Sequence, residues 1–240
     1  MMMLVRVIFS IVIIQPYGLR LENPKILLNS KSSEIIQRQS EALKEEATKY
    51  FAQEGIVYIE NFFRPRVFNE LQRQALMSIS EMRPETPDHV AVGRLGTFVS
   101  PSTPLAEAVN SKPVQNFLQD ITSSDQLQPS DFPVELRRYP IGSSMDWHCD
   151  ESLYENPQVE CVLTIFNSCD SRTEWKKNTD PDVIVSRWTQ PNSLLLVKAG
   201  GPSHRVTRSS CGERVIAKFV YTSCPYKLNA WYSNLNAYIS

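Results

Sequence analysis

Two histidines and an aspartate carry the clearest chemical signal in this sequence. His148 and Asp150 stand two positions apart, and His204 follows much later in the chain. In an extended strand, residues two apart point to the same face, so His148 and Asp150 can offer an imidazole and a carboxylate to one ion. Two imidazoles and one carboxylate suit Fe(II), because three coordination positions stay open for other ligands. We therefore predict an iron site at His148, Asp150 and His204.

The surrounding residues favour a metal site over a simpler interpretation, a strand end with a packed histidine and a solvated aspartate. Tyr139 begins a short turn that ends at Gly142, and this turn leads the chain into the strand with the first ligand. His204 is followed by Arg214 and then by residues 215–221, a run of strong strand character. We predict a hairpin whose first arm carries His204 and whose second arm carries Arg214.

With these residues in view, the chain resembles the prolyl 4-hydroxylase-like branch of the Fe(II)/2-oxoglutarate dioxygenase superfamily over residues 55–221. That branch carries a Tyr-x-x-Gly turn, a His-x-Asp pair, a distal histidine and a basic residue beyond it. The matching positions here are Tyr139, Gly142, His148, Asp150, His204 and Arg214.

The resemblance implies an α+β fold whose strands form a double-stranded β-helix, the jelly-roll barrel, with N-terminal helices packed on the sheet. It also implies that the three metal ligands hold Fe(II) and that Arg214 binds the far carboxylate of the co-substrate 2-oxoglutarate. A guanidinium suits that role because it makes two parallel hydrogen bonds to a carboxylate and stays protonated. Tyr139 is the best candidate for a second donor to the co-substrate.

The reaction implied by the resemblance consumes O2 and 2-oxoglutarate, releases succinate and CO2, and oxidises an unactivated C–H bond of a substrate. Hydroxylation is the preferred outcome, with oxidative cyclisation and desaturation left open. Asp150 argues against halogenation, because related halogenases lack this carboxylate and bind chloride in its place. Stimulation by ascorbate is expected.

Two departures from the branch fall where the family shapes its substrate pocket. Met145 stands where a second aromatic residue is common, and residues 171–175 replace a Gly-Gly-x-Thr-x-Phe segment. The substrate, small-molecule or peptidyl, therefore stays open among a peptidyl proline, a free amino acid and a small natural product. Trp175 lies in a polar stretch and is predicted to belong to a lid. His89, the remaining histidine, is not expected to bind the metal.

Length and charge agree with one catalytic domain. At 240 residues the chain can bury a substantial core. We expect an N-terminal extension at 1–30, a helical and strand part at 31–133, and the double-stranded β-helix with both sites at 134–240. The formal charge of −1 gives no global attraction to nucleic acid, so no nucleic-acid partner is expected. The oligomeric state stays open.

The N-terminus leaves two interpretations open. Residues 7–14 are largely apolar and resemble a signal-peptide core, but they are too few to span a bilayer, so no stable membrane span is expected. With a targeting peptide the protein would lie in the secretory pathway or an organelle lumen. Without one it would be cytoplasmic.

Helical periodicity predicts helices at 33–52, at 67–77 and, interrupted by Lys112-Pro113, at 105–121. Residues 90–99 predict a strand or hairpin, and continuous apolar runs predict buried strands from residue 134 onward. On the last strand, Arg214 and Lys218 share one face about 13 Å apart. We expect only Arg214 near the iron, and we expect the Arg137-Arg138 doublet to be solvated.

Two other classes of protein compete with an oxygenase. A catalytically inactive jelly-roll binding module would be expected to have lost a ligand or the anchoring arginine, and neither is missing. A zinc hydrolase with the same ligands would favour a tetrahedral site and would not need Arg214. Both alternatives are therefore less favoured.

Overall fold

A computed structural model describes residues 35–37, 39–85 and 90–237. The N-terminal extension predicted at 1–30 and His89 lie outside these ranges. The helices described are α1 (Glu41–Glu54), α2 (Pro65–Met77), α3 (Pro104–Val109), α4 (Lys112–Thr122) and α5 (Asn229–Asn234), with a 3-10 turn at Ser78–Glu81.

The strands form two antiparallel sheets. The larger sheet has the order β1-β11-β8-β13-β6-β4-β2, with β5 paired to β13, and the smaller sheet has the order β10-β9-β12-β7-β3. The strands are β1 (Ile56–Ile59), β2 (Arg83–Pro84), β3 (Ala91–Val92), β4 (Leu95–Phe98), β5 (Gln128–Pro129), β6 (Glu135–Tyr139), β7 (Ser144–His148), β8 (Val159–Asn167), β9 (Thr173–Lys176), β10 (Ile184–Arg187), β11 (Leu194–Lys198), β12 (His204–Val206) and β13 (Arg214–Thr222).

Helices α1, α2, α3 and α4 pack on one side of the larger sheet, whereas α5 packs with Val220 on the other side. On β13, Val215, Ala217, Phe219 and Tyr221 belong to the main apolar cluster, which also contains buried residues of α2, α3 and α4. Full burial of one such large side chain stabilises the fold by about 1.5–3 kcal/mol. Because side chains alternate along a strand, the even-numbered residues of β13 face the other way, and Ile216 packs with residues of β6 and β12.

Helix α1 begins later than the pattern predicted. Ser40 caps it by accepting a hydrogen bond from the Leu43 backbone N–H, and Gly55 ends it with a left-handed φ of 68°. Ile35 and Ile36 supplied the earlier part of the predicted pattern, but they pack otherwise: Ile35 is buried in the core, and Ile36 forms a β-bridge. The helices predicted at 67–77 and 105–121 are confirmed, the second as α3 and α4 with a break before Lys112.

The predicted hairpin of His204 and Arg214 is wrong. Strand β12 pairs with β7 and β9, whereas β13 pairs with β5, β6 and β8, so the two strands lie in different sheets. The stretch predicted as one strand or hairpin at 90–99 is divided in the same way, with β3 in the smaller sheet and β4 in the larger. Because the chain passes from one sheet to the other between β12 and β13, His204 and Arg214 lie on different sheets. Both side chains face the space between the two sheets.

The predicted α+β class is confirmed as helices on antiparallel sheets, and the described residues form two open sheets rather than one closed barrel. Strands from the 31–133 part join both sheets, so this part does not form a separate layer. No helix within the described ranges is long and apolar enough to cross a membrane.

Candidate metal centre and buried arginine

The three predicted metal ligands come together between the sheets. His148 ends β7, His204 begins β12, and the pairing of these strands sets the two histidines opposite each other. Asp150 follows β7 and lies 3.8 Å from His148 Nε2 through Oδ1 and 3.6 Å from His204 Nε2 through Oδ2. Two ligand bonds of about 2.1 Å can span either gap, so one ion can reach all three groups.

Backbone carbonyls orient both imidazoles. Nδ1 of His148 lies 2.8 Å from the Asp146 carbonyl oxygen, and Nδ1 of His204 lies 3.1 Å from the Pro202 carbonyl oxygen. A carbonyl can only accept, so each Nδ1 carries the proton and each Nε2 keeps its lone pair for a metal. Nε2 of His148 is buried and has no hydrogen-bond partner among the described residues. This is the orientation that metal-ligating histidines need.

The protonation states also suit a cation. Burial and the neighbouring His204 lower the pKa of His148, which favours the neutral imidazole. Burial opposes ionisation of Asp150, but His204, Lys218 and His148 outweigh it and lower the pKa of Asp150. At neutral pH the site therefore offers one carboxylate and an imidazole that stays neutral.

Arg214 is a buried cation without an anionic partner among the described residues. Its exposure is 2%, its Nη1 donates to Thr173 Oγ1 at 2.8 Å, and its Nε has no hydrogen-bond partner there. Burial lowers the pKa of Arg214, because no adjacent carboxylate compensates the charge. A charge in this position is costly unless a ligand neutralises it. Arg214 therefore indicates an anion site.

The anion site lies close to the metal ligands. Thr173, which binds Arg214, is two residues from Trp175 on β9, and Trp175 is paired with His204. Two residues of strand span about 7 Å, so Thr173 lies about that far along β9 from the level of His204. A short dicarboxylate that chelates the metal at one end would reach Arg214 with the other.

Tyr139 lies between two arginines. The guanidinium of Arg94 lies 5.9 Å from the centroid of its ring and that of Arg214 lies 5.8 Å from it. The Tyr139 hydroxyl accepts a hydrogen bond from Arg94 Nη1 at 3.3 Å and contacts the Met145 sulfur. The Met145 sulfur also lies 3.2 Å from Arg94 Nη1, so Met145 contacts both side chains. Sequence reasoning found Tyr139 but missed Arg94.

A cavity of about 440 Å³ opens beside the metal ligands. Its lining includes His148 and Asp150, together with the apolar side chains of Met145 and Leu153. Lys218 lines it too, contrary to the expectation that only Arg214 would lie near the metal. Two residues on the even-numbered face of β13 therefore lie near the metal ligands: Arg214 at the start of the strand and Lys218 four residues further along.

Six charged side chains, three of them buried and three partly buried, form what we call the cavity ion network. Its arginine end consists of Arg94, Arg137 and Glu85, and its lysine end consists of Lys218, Glu135 and Glu160.

The contacts within each end are direct. Arg94 Nε donates to Glu85 at 2.6 Å, and Arg137 Nε lies 3.7 Å from the same carboxylate. Lys218 Nζ lies 2.8 Å from Glu160 and 3.9 Å from Glu135.

Arg137 joins the two ends, because its Nη2 lies 2.9 Å from Glu135. The expectation that the Arg137-Arg138 doublet is solvated is therefore wrong for Arg137, whose side chain is 11% exposed. Burial raises the pKa of Glu160 against the attraction of Lys218. The pKa of Lys218 is raised as well: burial opposes its charge, but the carboxylates of Glu160, Glu135 and Asp150 together outweigh this effect. Only the proximity of the strands reveals this network.

Trp175 is not a lid residue. It lies on β9 with 2% exposure and packs against Ile56, Leu195 and Val197. Its polar neighbours in the sequence belong to the outer face of the strand, so the composition of the segment was misleading. A larger groove of about 770 Å³ lies beyond Trp175, between α1, β1 and β10, and none of the metal ligands lines it.

No protein-family model and no curated protein matches the chain. Solved structures do match. A Pseudomonas putida prolyl-4-hydroxylase aligns with a TM-score of 0.61 at 14% identity, covering 74% of this chain and 97% of that chain. A Trichoplax adhaerens prolyl hydroxylase, solved with a hypoxia inducible factor peptide, gives 0.60 at 15% identity and covers 76% and 90%. The α-ketoglutarate-dependent epimerase SnoN gives 0.64 at 11%, covering 76% and 83%.

At these identities the likeness concerns the fold. The chain has the fold of 2-oxoglutarate/Fe(II) oxygenases, with prolyl-4-hydroxylases among the similar structures, as the sequence resemblance predicted.

Proposed function

We propose that the protein is an Fe(II)- and 2-oxoglutarate-dependent dioxygenase with a jelly-roll core. In this proposal it hydroxylates a C–H bond of its substrate while 2-oxoglutarate is converted to succinate and CO2. One observation carries the proposal: a buried guanidinium, Arg214, which has no carboxylate partner among the described residues, stands beside a cluster of two histidines and one carboxylate. A zinc hydrolase has no use for such an arginine, and an inactive binding module has no reason to keep the ligand set.

Each residue has a defined task in this proposal. His148, Asp150 and His204 would hold Fe(II), with the Asp146 and Pro202 carbonyls fixing the two imidazoles. Iron bound here would supply the redox chemistry of O2 activation and leave three positions for co-substrate and oxygen. The remaining tasks belong to the protein alone.

Arg214 would bind the far carboxylate of 2-oxoglutarate through charge-assisted hydrogen bonds and thereby neutralise its own buried charge. The Tyr139 ring centroid lies 5.8 Å from the Arg214 guanidinium. The Tyr139 hydroxyl oxygen accepts a hydrogen bond from Arg94. Tyr139 is therefore proposed to position Arg214 through its ring, and its hydroxyl remains a candidate second donor. Burial of this site keeps bulk water away from the co-substrate.

The experiment that tests the proposal measures succinate formed from 2-oxoglutarate by anaerobically purified protein given Fe(II), O2 and ascorbate. We expect slow turnover without a substrate, its loss in His148→Ala, and a much higher requirement for 2-oxoglutarate in Arg214→Ala. Arg205→Ala, which changes a cation on the outer face next to His204, serves as the control and should behave like the wild type.

Some oxygenases stay idle without their substrate, so binding is measured as well. Calorimetry of 2-oxoglutarate with Mn(II)-loaded protein should show binding that depends on both the metal and Arg214. Absence of such binding in the wild type would contradict the proposal.

A further inference from the structure

Tyr139 is the middle member of a row of three side chains that crosses the larger sheet. The register of β6 and β13 pairs Tyr139 with Arg214. On the other side of β6, a second register pairs Leu95 with Arg138. Continued by one residue, it brings Arg94 opposite Tyr139. Residues at paired positions project from the same face of a sheet. Both guanidiniums therefore meet the Tyr139 ring, at 5.9 Å for Arg94 and 5.8 Å for Arg214 from its centroid.

The hydroxyl of Tyr139 depends on Arg94. Tyr139 is 3% exposed, and a buried hydroxyl is costly unless it is hydrogen-bonded. Its described partners are Arg94 Nη1 at 3.3 Å and the Met145 sulfur at 3.7 Å. A thioether sulfur is a weak acceptor. Among the described contacts, the hydrogen bond from Arg94 is therefore the one that fixes the orientation of the Tyr139 ring.

Arg94 is itself held in one orientation. Glu85 accepts a hydrogen bond from Arg94 Nε at 2.6 Å and contacts Nη2 as well. The side chain of Arg94 is 4% exposed. Because a guanidinium is rigid and planar, contacts at Nε and Nη2 also fix the direction of Nη1. Glu85 therefore directs Nη1 toward the Tyr139 hydroxyl.

Arg214 needs support from outside its own strand. Its only described hydrogen bond is from Nη1 to Thr173, and its Nε has no hydrogen-bond partner among the described residues. A guanidinium binds a carboxylate best through two parallel hydrogen bonds, which require a fixed orientation of its plane. The Tyr139 ring is the neighbour that can supply this orientation.

Resting on the proposed function, we infer that Arg94 is a positioning residue of the co-substrate site. It acts through Tyr139: Glu85 holds Arg94, Arg94 holds the Tyr139 hydroxyl, and the Tyr139 ring holds the Arg214 guanidinium that binds the far carboxylate of 2-oxoglutarate. The effect of Arg94 is therefore confined to ligands that carry this second carboxylate.

A comparison of two oxo acids tests this restriction. 2-Oxoglutarate and 2-oxopentanoate share the end that chelates a metal, but 2-oxopentanoate lacks the far carboxylate. Each is titrated into full-length protein carrying Mn(II) without O2. Arg94→Met should weaken 2-oxoglutarate binding by about tenfold, the equivalent of one lost charge-assisted hydrogen bond, and leave 2-oxopentanoate binding unchanged. General damage to the fold or to the metal site would weaken both ligands.

A double-mutant cycle tests whether Arg94 acts through Tyr139. Tyr139→Phe keeps the ring and removes only the hydroxyl, so it is the variant least disruptive to the fold. It should show the same selective loss for 2-oxoglutarate. Adding Arg94→Met to Tyr139→Phe should then cost less than about twofold more, because the contact between the two residues is already gone. Arg94→Lys should restore part of the affinity, since an ammonium can still donate to the hydroxyl.

A matched control changes the arginine next to Tyr139. Arg138 donates to Glu213 at 2.7 Å, and side chains alternate along β6, so Arg138 lies on the opposite face from Tyr139. Arg138→Met should therefore bind both oxo acids like the wild type. An equal loss in Arg138→Met and Arg94→Met would count against the inference.

The remaining outcomes separate this inference from the proposed function. Unchanged 2-oxoglutarate affinity in Arg94→Met, or an equal loss for both oxo acids, would overturn the inference while the binding by the wild type upholds the proposed function. A full further loss when Arg94→Met is added to Tyr139→Phe would also overturn it, because Arg94 would then contact the co-substrate directly. Failure of the wild type to bind 2-oxoglutarate would contradict the proposed function and the inference together.

Discussion

Replacing Arg214 by methionine should stabilise the protein and at the same time weaken co-substrate binding. The guanidinium is 2% exposed, and its described contacts are one hydrogen bond to Thr173 and the face of Tyr139. Neither contact supplies the negative charge that a buried cation needs. Methionine has a similar length and no charge, so it fills the space without the desolvation cost.

The expected gain in stability follows from the cost of the buried charge. Replacement of buried charged groups by apolar ones of similar volume commonly stabilises by 1–4 kcal/mol, and we expect about 2 kcal/mol here. In a protein of this size that gain raises the melting temperature by roughly 4–8 °C. The metal-free protein without 2-oxoglutarate is the form to measure, by calorimetry or urea unfolding.

The expected loss in binding follows from the same charge. Without Arg214 the far carboxylate of 2-oxoglutarate would be buried with no cation, which costs about 3–5 kcal/mol, or roughly 10²–10⁴-fold in Kd. Titration of 2-oxoglutarate into Mn(II)-loaded protein measures this. Arg214→Lys keeps the charge but loses the two-pronged geometry, so its affinity should be intermediate. A methionine variant that melts at a lower temperature and keeps its 2-oxoglutarate affinity would refute this reasoning and make Arg214 a structural residue.

Three further predictions concern the metal and the fold. Asp150→Asn should lower Mn(II) affinity by about 100-fold or more, measured by calorimetry, because the carboxylate is the only anionic member of the cluster. Gly212→Ala should cost about 2 kcal/mol or more in urea unfolding, because a Cβ there would lie 2.4 Å from a backbone oxygen at a φ of 61°. Gly200→Ala, with similar φ but open space around it, should cost only about 1 kcal/mol. Burial opposes ionisation of Glu54, but hydrogen bonds from Thr179 and Asn178 and the charge of Lys177 together outweigh it and lower the pKa. The stability advantage of the wild type over Glu54→Gln should therefore be full at pH 7 and shrink as the pH falls below 4.5.

Local patterns in the sequence were sufficient to predict the metal ligands and the main elements. His148 and Asp150 share a face because strand side chains alternate, and this rule needs no knowledge of the rest of the chain. The buried strands β8 and β13 and the helices α2, α3 and α4 follow from apolar periodicity in the same way. The distal His204 and Arg214 were identified by their spacing in a resemblance, and the structure brings both to the same interior.

The tertiary structure alone decided which charges are buried and which strands are neighbours. Arg137 looked like half of a solvated doublet, Trp175 like part of a polar loop, and β12 and β13 like one hairpin. Each prediction failed because burial and strand pairing depend on residues that are far apart in the chain. The cavity ion network, for example, contains residues of β6, β8 and β13 together with Glu85 and Arg94. A periodic pattern tells which face of an element is apolar. It does not tell which other element that face meets, because that choice is made by the free energy of the whole packed interior.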